Sequence, residues 1–514
     1  MPNSIFAYIF KYSMRQQVTV FAGTLVYLPL LYLSFELPKI FVNDALDADP
    51  KSFPRDIFGY TLDQLPYLYW LCGALLALVM VTGGLKYVLS VYKGVLGEIM
   101  LRRLRHDLYT RILQFPVSHL KKVQGGEIVT MATAEAEPLG RFMGVAAANP
   151  ALQGGTMITA LVFLFAQDWL LGIAAISLFP VQAYLVPKLQ VQMNALSRQR
   201  LSSVRVFAGH IGETMDGYRD IHAHDTTAFE LARTSGQLGI LFRIRRSLYL
   251  IGNGIIFLNN FFTQLTPFMF YLIGGYLVLS GELSLGALVA VIAAYRETAA
   301  PWNDLLEYYQ SLEDNRVKYA ALVENFSPDG LRDLPDSKRD EKPGEREKFA
   351  GELSVNNVSV KDGEEPLLDA VSISTPLPGR IAILGPAGSG KVELAQLLSA
   401  LRQPSAGAIN LAGQDLAQVS DITLGRCVSY LDQGSHVFTG TWRDNIYYGL
   451  KHRPVRDAST GGDRGTDIAE AMRAGNTTND PNADWVDYED AGFASLAELD
   501  REAIRLIRRV GLAR

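Results

Sequence analysis

Cysteine is nearly absent. Two residues in a chain of 514, Cys72 within an apolar run and Cys427 in a polar region, exclude a disulfide framework and a thiolate metal cluster. Strong charge of either sign is also missing: the formal net charge is −5, and the basic residues do not gather into a patch interleaved with aromatics, so nucleic acid is not an expected partner. The N-terminus lacks a short apolar region ending in a small-residue cleavage site, which argues against a removable signal peptide. Apolar residues, by contrast, make up 48% of the chain. They concentrate before about Val323, and the remainder of the chain is polar and charged. Composition therefore divides the chain into a membrane half and a soluble half.

Within the membrane half, Ile5 to Gln17 is a short amphipathic stretch carrying Lys11 and Arg15, suited to lie along a bilayer surface. About 20 apolar helical residues cover the hydrocarbon thickness. On that measure, spans are expected at Val18 to Phe41, Tyr67 to Tyr92, Val145 to Ala166, Leu170 to Val186, Leu248 to Leu279 and Leu285 to Glu307. The loop after the first span is acidic, with Asp44, Asp47, Asp49, Asp56 and Asp63. The two long loops after the second and fourth spans are rich in arginine, including Arg102, Arg103 and Arg105 in one and Arg198, Arg200, Arg243, Arg245 and Arg246 in the other. The positive-inside tendency puts the basic loops in the cytosol. Both loops keep a helical pattern, so the spans should extend into the cytosol as long helices.

The soluble half turns on Arg380 to Leu401. An expected buried strand, Ile381 to Leu384, leads into Gly385-Pro386-Ala387-Gly388-Ser389-Gly390-Lys391, and a helical pattern comes next. Glycines at those spacings let backbone N–H groups close around a phosphate, the helix start adds partial positive charge, and Lys391 reaches the outer phosphates. The position after the lysine usually carries a hydroxyl that ligates Mg²⁺. Here it is Val392, which offers no oxygen, so nucleotide binding is better supported than hydrolysis.

Six spans, long cytosolic helical loops and a phosphate loop together resemble one subunit of an ATP-binding cassette (ABC) exporter. The resemblance covers about Met1 to Gly449 and is carried by LRRLRHDLYTRILQFPVSHLKKVQGGEIVTMATAEAE, GELSLGALVAVIAAYRETAAPWNDL and VSYLDQGSHVFTGTWRDNIYYG. It implies an all-α membrane domain of six helices over residues 1–325, a charged linker over 326–350, and an α/β P-loop NTPase domain over 351–514, present only in its N-terminal part. It implies ATP as ligand, with Mg²⁺ in question because of Val392. Gln433, after an expected strand Cys427 to Leu431, matches the family's Mg²⁺- and water-contacting glutamine. The family also implies a second transporter subunit, identical or different, and a multi-pass protein of a bacterial plasma membrane whose nucleotide domain is cytosolic. Short coupling helices would lie near Pro116 to Lys122 and Gly217 to Asp225.

Departures from the family pattern are equally specific. The aromatic residue that stacks on adenine is replaced by Asp362, and Lys451 to Tyr488 is an insertion expected to form a loop. Leu496 to Val510 resembles the first helix of the helical subdomain, and the sequence reaches Arg514 without the signature peptide, the Asp-Glu strand or the switch histidine. Ser459-Thr460-Gly461-Gly462-Asp463 lies too early to be that signature. The expectation is a piece of a longer protein or a shortened chain, and in either case no complete catalytic set for ATP hydrolysis within these residues. Two functions remain open: an exporter subunit for an amphipathic or lipid-like substrate, or a non-hydrolysing ATP-binding partner of such a transporter. Candidates for the substrate path are Arg296 and Glu297, about 18 Å into the sixth span, and Asn253, Asn260 and Gln264 on one face of the fifth. Interhelical hydrogen bonding is the competing account of the fifth-span group.

Overall fold

The protein is described from a computed structural model covering residues 1–46, 53–57, 60–116, 119–120, 125–328, 330–332, 351–362, 365–419, 421–432, 434–452, 454–455, 464–489 and 491–512. Most of the expected linker and Gln433 lie outside these residues. The chain divides into two compact units, one built from Met14–Gly94 and Val145–Leu312, the other from Met1–Ser13, Val95–Gly144 and Glu313–Arg514.

Long helices carry the membrane half: α1 (Ile5–Ile40), α2 (Gln64–Gln114), α3 (Ala148–Gln167), α4 (Trp169–Ser177), α5 (Phe179–Asp216), α6 (Tyr218–Ala223), α7 (Thr227–Met269) and α8 (Leu285–Asn325). A small antiparallel hairpin, β1 (Arg55–Ile57) and β2 (Tyr60–Leu62), sits between α1 and α2 and pairs Asp56 with Thr61. The turn between α3 and α4 is set by Asp168. Its extended backbone stops one helix, and its side chain accepts hydrogen bonds from the N–H groups of Leu170 (2.8 Å) and Leu171 (3.2 Å) to start the next. Tyr27, Leu31 and Phe35 of α1, Phe163 and Leu164 of α3, and Ala290, Val291, Ala294 and Tyr295 of α8 share one buried core.

Five helical stretches among the described residues are long and apolar enough to cross a bilayer: Ile5–Leu46, Gln64–Gln114, Ala148–Gln167, Trp169–Asp216 and Thr227–Leu279. The sixth expected span forms as α8 but is not among them. Arg296, Glu297, Asp304 and Glu307 interrupt its apolar run. At the tip of the second basic loop, the expected short helix is present as α6. Of the first loop's tip, only Pro116, His119 and Leu120 are described, with the N–H groups of both His119 and Leu120 donating to Pro116 O.

The soluble region is built on β3 (Gly351–Asp362), β4 (Glu365–Leu377), β5 (Ala406–Leu411) and β6 (Gln414–Asp415), in the order β4-β3-β5-β6 with antiparallel pairing. The first two strands of this sheet, β3 and β4, pair with Leu353 opposite Thr375 and Val358 opposite Val371. Alternation along β3 turns Leu353, Val355, Val358 and Val360 into the core, with shifts of register that change the phase after Val355. Helix α9 (Lys391–Leu398) covers this face with Leu394 and Leu397, each worth about 1.5–3 kcal/mol when fully buried.

Three expectations are corrected. Ile381 to Leu384 is not a strand, and Leu384 is 91% exposed. The strand expected over Cys427 to Leu431 is also absent: Cys427 ends a helix begun at Asp421, and Leu431 is 85% exposed. A central parallel strand takes hydrogen bonds from neighbours on both edges, and no strand flanks either segment among the described residues. The insertion, finally, is not wholly a loop. After α10 (Trp442–Ile446), the chain forms α11 (Arg464–Ala474) and then α12 (Leu496–Arg509). Ala471 and Ala474 of α11 are buried, so small side chains permit close packing that a polarity profile does not register.

Candidate nucleotide site and transmembrane polar groups

Gly385 to Lys391 forms a tight exposed turn into α9. Gly388 and Gly390 both adopt the left-handed conformation, at φ +78° and +81°, and Gly390 caps the helix. A Cβ on Gly390 would fall 2.8 Å from Leu367 O, and one on Gly385 would fall 2.5 Å from Ser389 Oγ. The cradle is thus defined by atoms that must be missing. Lys391 folds back over it, donating from Nζ to Gly385 O (2.5 Å), Pro386 O (2.6 Å) and Ser389 Oγ (3.3 Å). Its ammonium stands at the mouth of the turn, where an anionic phosphate tail would replace neutral carbonyls as its partner.

A triphosphate suits these residues, while the position after Lys391, Val392, offers Mg²⁺ no oxygen. Val392 is half exposed with only methyl groups to offer, and no group of three His, Cys, Asp or Glu side chains that could hold a metal occurs among the described residues. After the loop, Asp432 organises a turn by accepting from Gly434 N–H at 2.8 Å. Asn445 then locks the next one, accepting from Phe438 N–H (2.8 Å) and donating to Phe438 O (2.9 Å). Thr441 and Asp444 form a reciprocal cap on α10, which holds the Asp444 carboxyl down at about 2 through hydrogen bonds from Thr441 and Lys451.

Two family models match the chain, ABC transporter transmembrane region over residues 20–296, more than half of its length, and ABC transporter over residues 368–512. The chain belongs to the ABC transporter family. Its plan is that of exporters in which membrane and nucleotide domains are fused. It is 24% identical over 413 residues to an ATP-dependent lipid A-core flippase of Syntrophus aciditrophicus, aligning 80% of this chain with 66% of that protein. The flippase of the same name from Ralstonia nicotianae is 22% identical, with 85% and 70% covered. A multidrug resistance ABC transporter ATP-binding and permease protein of Lactococcus lactis is 22% identical, with 73% and 63% covered. The chain thus spans about two thirds of the length of these relatives. The nucleotide-domain match carries ATP binding, and the membrane-domain match with five apolar helices makes this ABC transporter an integral membrane protein.

The path candidates are dispersed. Arg296 and Glu297 are exposed on α8 and are not ion-paired among the described residues, although Glu297 lies within electrostatic reach of the buried Tyr27 hydroxyl. Asn253, Asn260 and Gln264 are exposed on α7. Sequence reasoning missed a different set. Lys93 of α2 donates to Asn149 of α3 at 3.1 Å, and Gln153 of α3 donates to Asp304 of α8 by a short hydrogen bond, while Tyr308 OH donates to Ala146 O at 2.5 Å. These partly buried groups tie three helices together. Their signal was polar residues at the margins of three apolar runs, legible only once the helices are paired.

Proposed function

We propose that this chain is a subunit of an ATP-driven exporter that pairs with a second, identical or different, subunit and moves an amphipathic or lipid-like substrate across a bacterial plasma membrane. The observation that carries the reading is the glycine turn with Lys391 at its mouth, in the same chain as a bundle of membrane-crossing helices. Nucleotide held by Gly385, Pro386, Ala387, Gly388, Ser389, Gly390 and Lys391 supplies binding energy that differs between transporter conformations, which is the condition for a ligand to shift them. The substrate class draws on relatives named as flippases and a multidrug transporter. Arg296, Glu297, Asn253, Asn260 and Gln264 are proposed to line the path, and the Lys93–Asn149 and Gln153–Asp304 pairs to set the packing around it. The nucleotide domain is proposed to be cytosolic, and the region divisions 1–325, 326–350 and 351–514 to mark membrane, linker and nucleotide functions.

A second reading has its own support. Val392 leaves the Mg²⁺ position without its usual oxygen, which favours a subunit that binds ATP without turning it over and relies on its partner for hydrolysis. Photolabelling with an azido-ATP analogue in membranes tests both. The native chain should label, and Lys391→Ala should reduce labelling about tenfold or more, the worth of a charge-assisted contact. Absence of labelling beside its partner subunit would overturn the site. Phosphate release by that assembly, lost on blocking this chain's loop alone, would decide for the hydrolysing form.

A further inference from the structure

The cytosolic end of α2 carries side chains that the export reading leaves unused. Arg102, Arg103 and His106 all meet the inserted helix α11 and the turn after it. Arg102 Nη1 pairs with Glu470 Oε2 at 3.2 Å. Arg103 Nε donates to Ala474 O at 2.8 Å, a carbonyl at the helix end left without an intrahelical partner, while its guanidinium lies 4.1 Å from the centre of the Tyr12 ring. His106 Nε2 accepts from Thr477 N–H at 3.3 Å. Gly475 makes this approach possible: it takes φ +66°, and a Cβ there would fall 2.0 Å from Arg103 Nη2. Ala474 is 1% exposed, so the contact is packed as well as polar.

A second fastening lies about two turns further along the same helix. Arg332 donates its backbone N–H to Gln114 O, the last residue of α2, at 2.9 Å. The same residue's Nη2 donates to Ala400 O (3.0 Å) and Leu401 O (2.5 Å), immediately after the phosphate-loop helix α9. One arginine therefore joins the end of the phosphate-loop helix to the end of the helix that began as the second span.

We propose that Arg102 to Gln114 is a strut clamped at two points to its own nucleotide domain, by α11 through Arg102, Arg103 and His106 and by the phosphate-loop helix through Arg332. The strut rests on the exporter reading and deepens it, giving the phosphate loop a route to the second span that lies within one subunit. Two clamps matter mechanically. A single contact is a pivot about which the helix turns, whereas two contacts separated along its axis transmit rotation as well as displacement. Glycine at 475 and alanine at 471 and 474 are the residues that let α11 come close enough, and the charge pair Arg102–Glu470 fixes its register.

Spin labels on Tyr109→Cys and Met472→Cys, both exposed positions, report the clamp in the full chain with Cys72 and Cys427 replaced by serine. Without nucleotide, a single narrow distance is expected. Arg103→Ala combined with Arg332→Ala should abolish it, and Arg102→Glu should broaden it, with Arg102→Glu plus Glu470→Arg restoring the narrow distance. Amide exchange in α12 serves as the control that the domain remains folded. A broad distribution in the parent, or one that stays narrow in every variant, overturns the strut. Because nucleotide and transport are absent from the measurement, its failure is separable from failure of the exporter reading.

Discussion

Gly390 and Val392 stand on either side of Lys391 and act in opposite senses. Gly390 is required by geometry, since its conformation is left-handed and the space beside it is filled by the Leu367 carbonyl and the Leu368 side chain. Backbone cannot move aside as a flexible side chain can. Gly390→Ala should therefore cost roughly 1–3 kcal/mol in the stability of the nucleotide domain, read as a lowered unfolding midpoint in detergent. Val392 is not required by packing, being half exposed. Val392→Thr should leave stability within about 0.5 kcal/mol and make nucleotide affinity rise with added Mg²⁺, where the parent shows little response. Titration of a fluorescent ATP analogue with and without Mg²⁺ measures this, and equal metal dependence in both proteins would contradict the assignment. At this scale the sequence was highly informative, because a glycine or a missing hydroxyl is a property of one position.

Elements depend on partners, and there the sequence was less informative. Helix α10 is capped by its own residues: Thr441 and Asp444 form the cap, and the Asp444 carboxyl is held at about 2 against an ordinary 3.8. A lowered acid contributes its stability above its unfolded value and loses it as pH falls through the folded one. Amide protection in Trp442–Ile446 should thus persist at about pH 4 and be lost toward about pH 2, and Asp444→Asn should remove that dependence. Tyr447 behaves oppositely. Burial first, and then the Asp500 carboxylate that accepts from its hydroxyl at 2.5 Å, push it up to about 12. Its contribution is complete below pH 10 and is lost as pH rises through about 12, so the ultraviolet titration of Tyr447→Phe should lack one phenolate that ionises near pH 12 in the parent. By contrast, Ile381 to Leu384 has every residue a buried strand needs and does not form one, since a ladder requires neighbours that those residues cannot encode. Helix α11 shows the reverse, a polar stretch that becomes helix where Ala471 and Ala474 find a surface.

The whole molecule is read most directly through topology. The arginine-rich loops and the phosphate loop are proposed to share the cytosolic side, with the short turn around Gly281 on the other. Single cysteines at Glu282 and Ser435, in a chain with Cys72 and Cys427 replaced, should label from opposite faces of sealed vesicles with a membrane-impermeant maleimide. Labelling from one face would overturn the arrangement. By itself, the sequence determined the membrane and soluble halves, the helical character of the spans and the phosphate loop, because hydropathy, charge asymmetry and glycine spacing are local quantities. Only the tertiary structure decided which polar groups meet: Lys93 with Asn149, Gln153 with Asp304, and Arg103 with the end of α11. It also decided which apolar segments remain unpaired, Ile381 to Leu384 among them. The reason is that a hydrogen bond between residues far apart in the chain is fixed by how helices and strands pack, and packing is a property of pairs of surfaces.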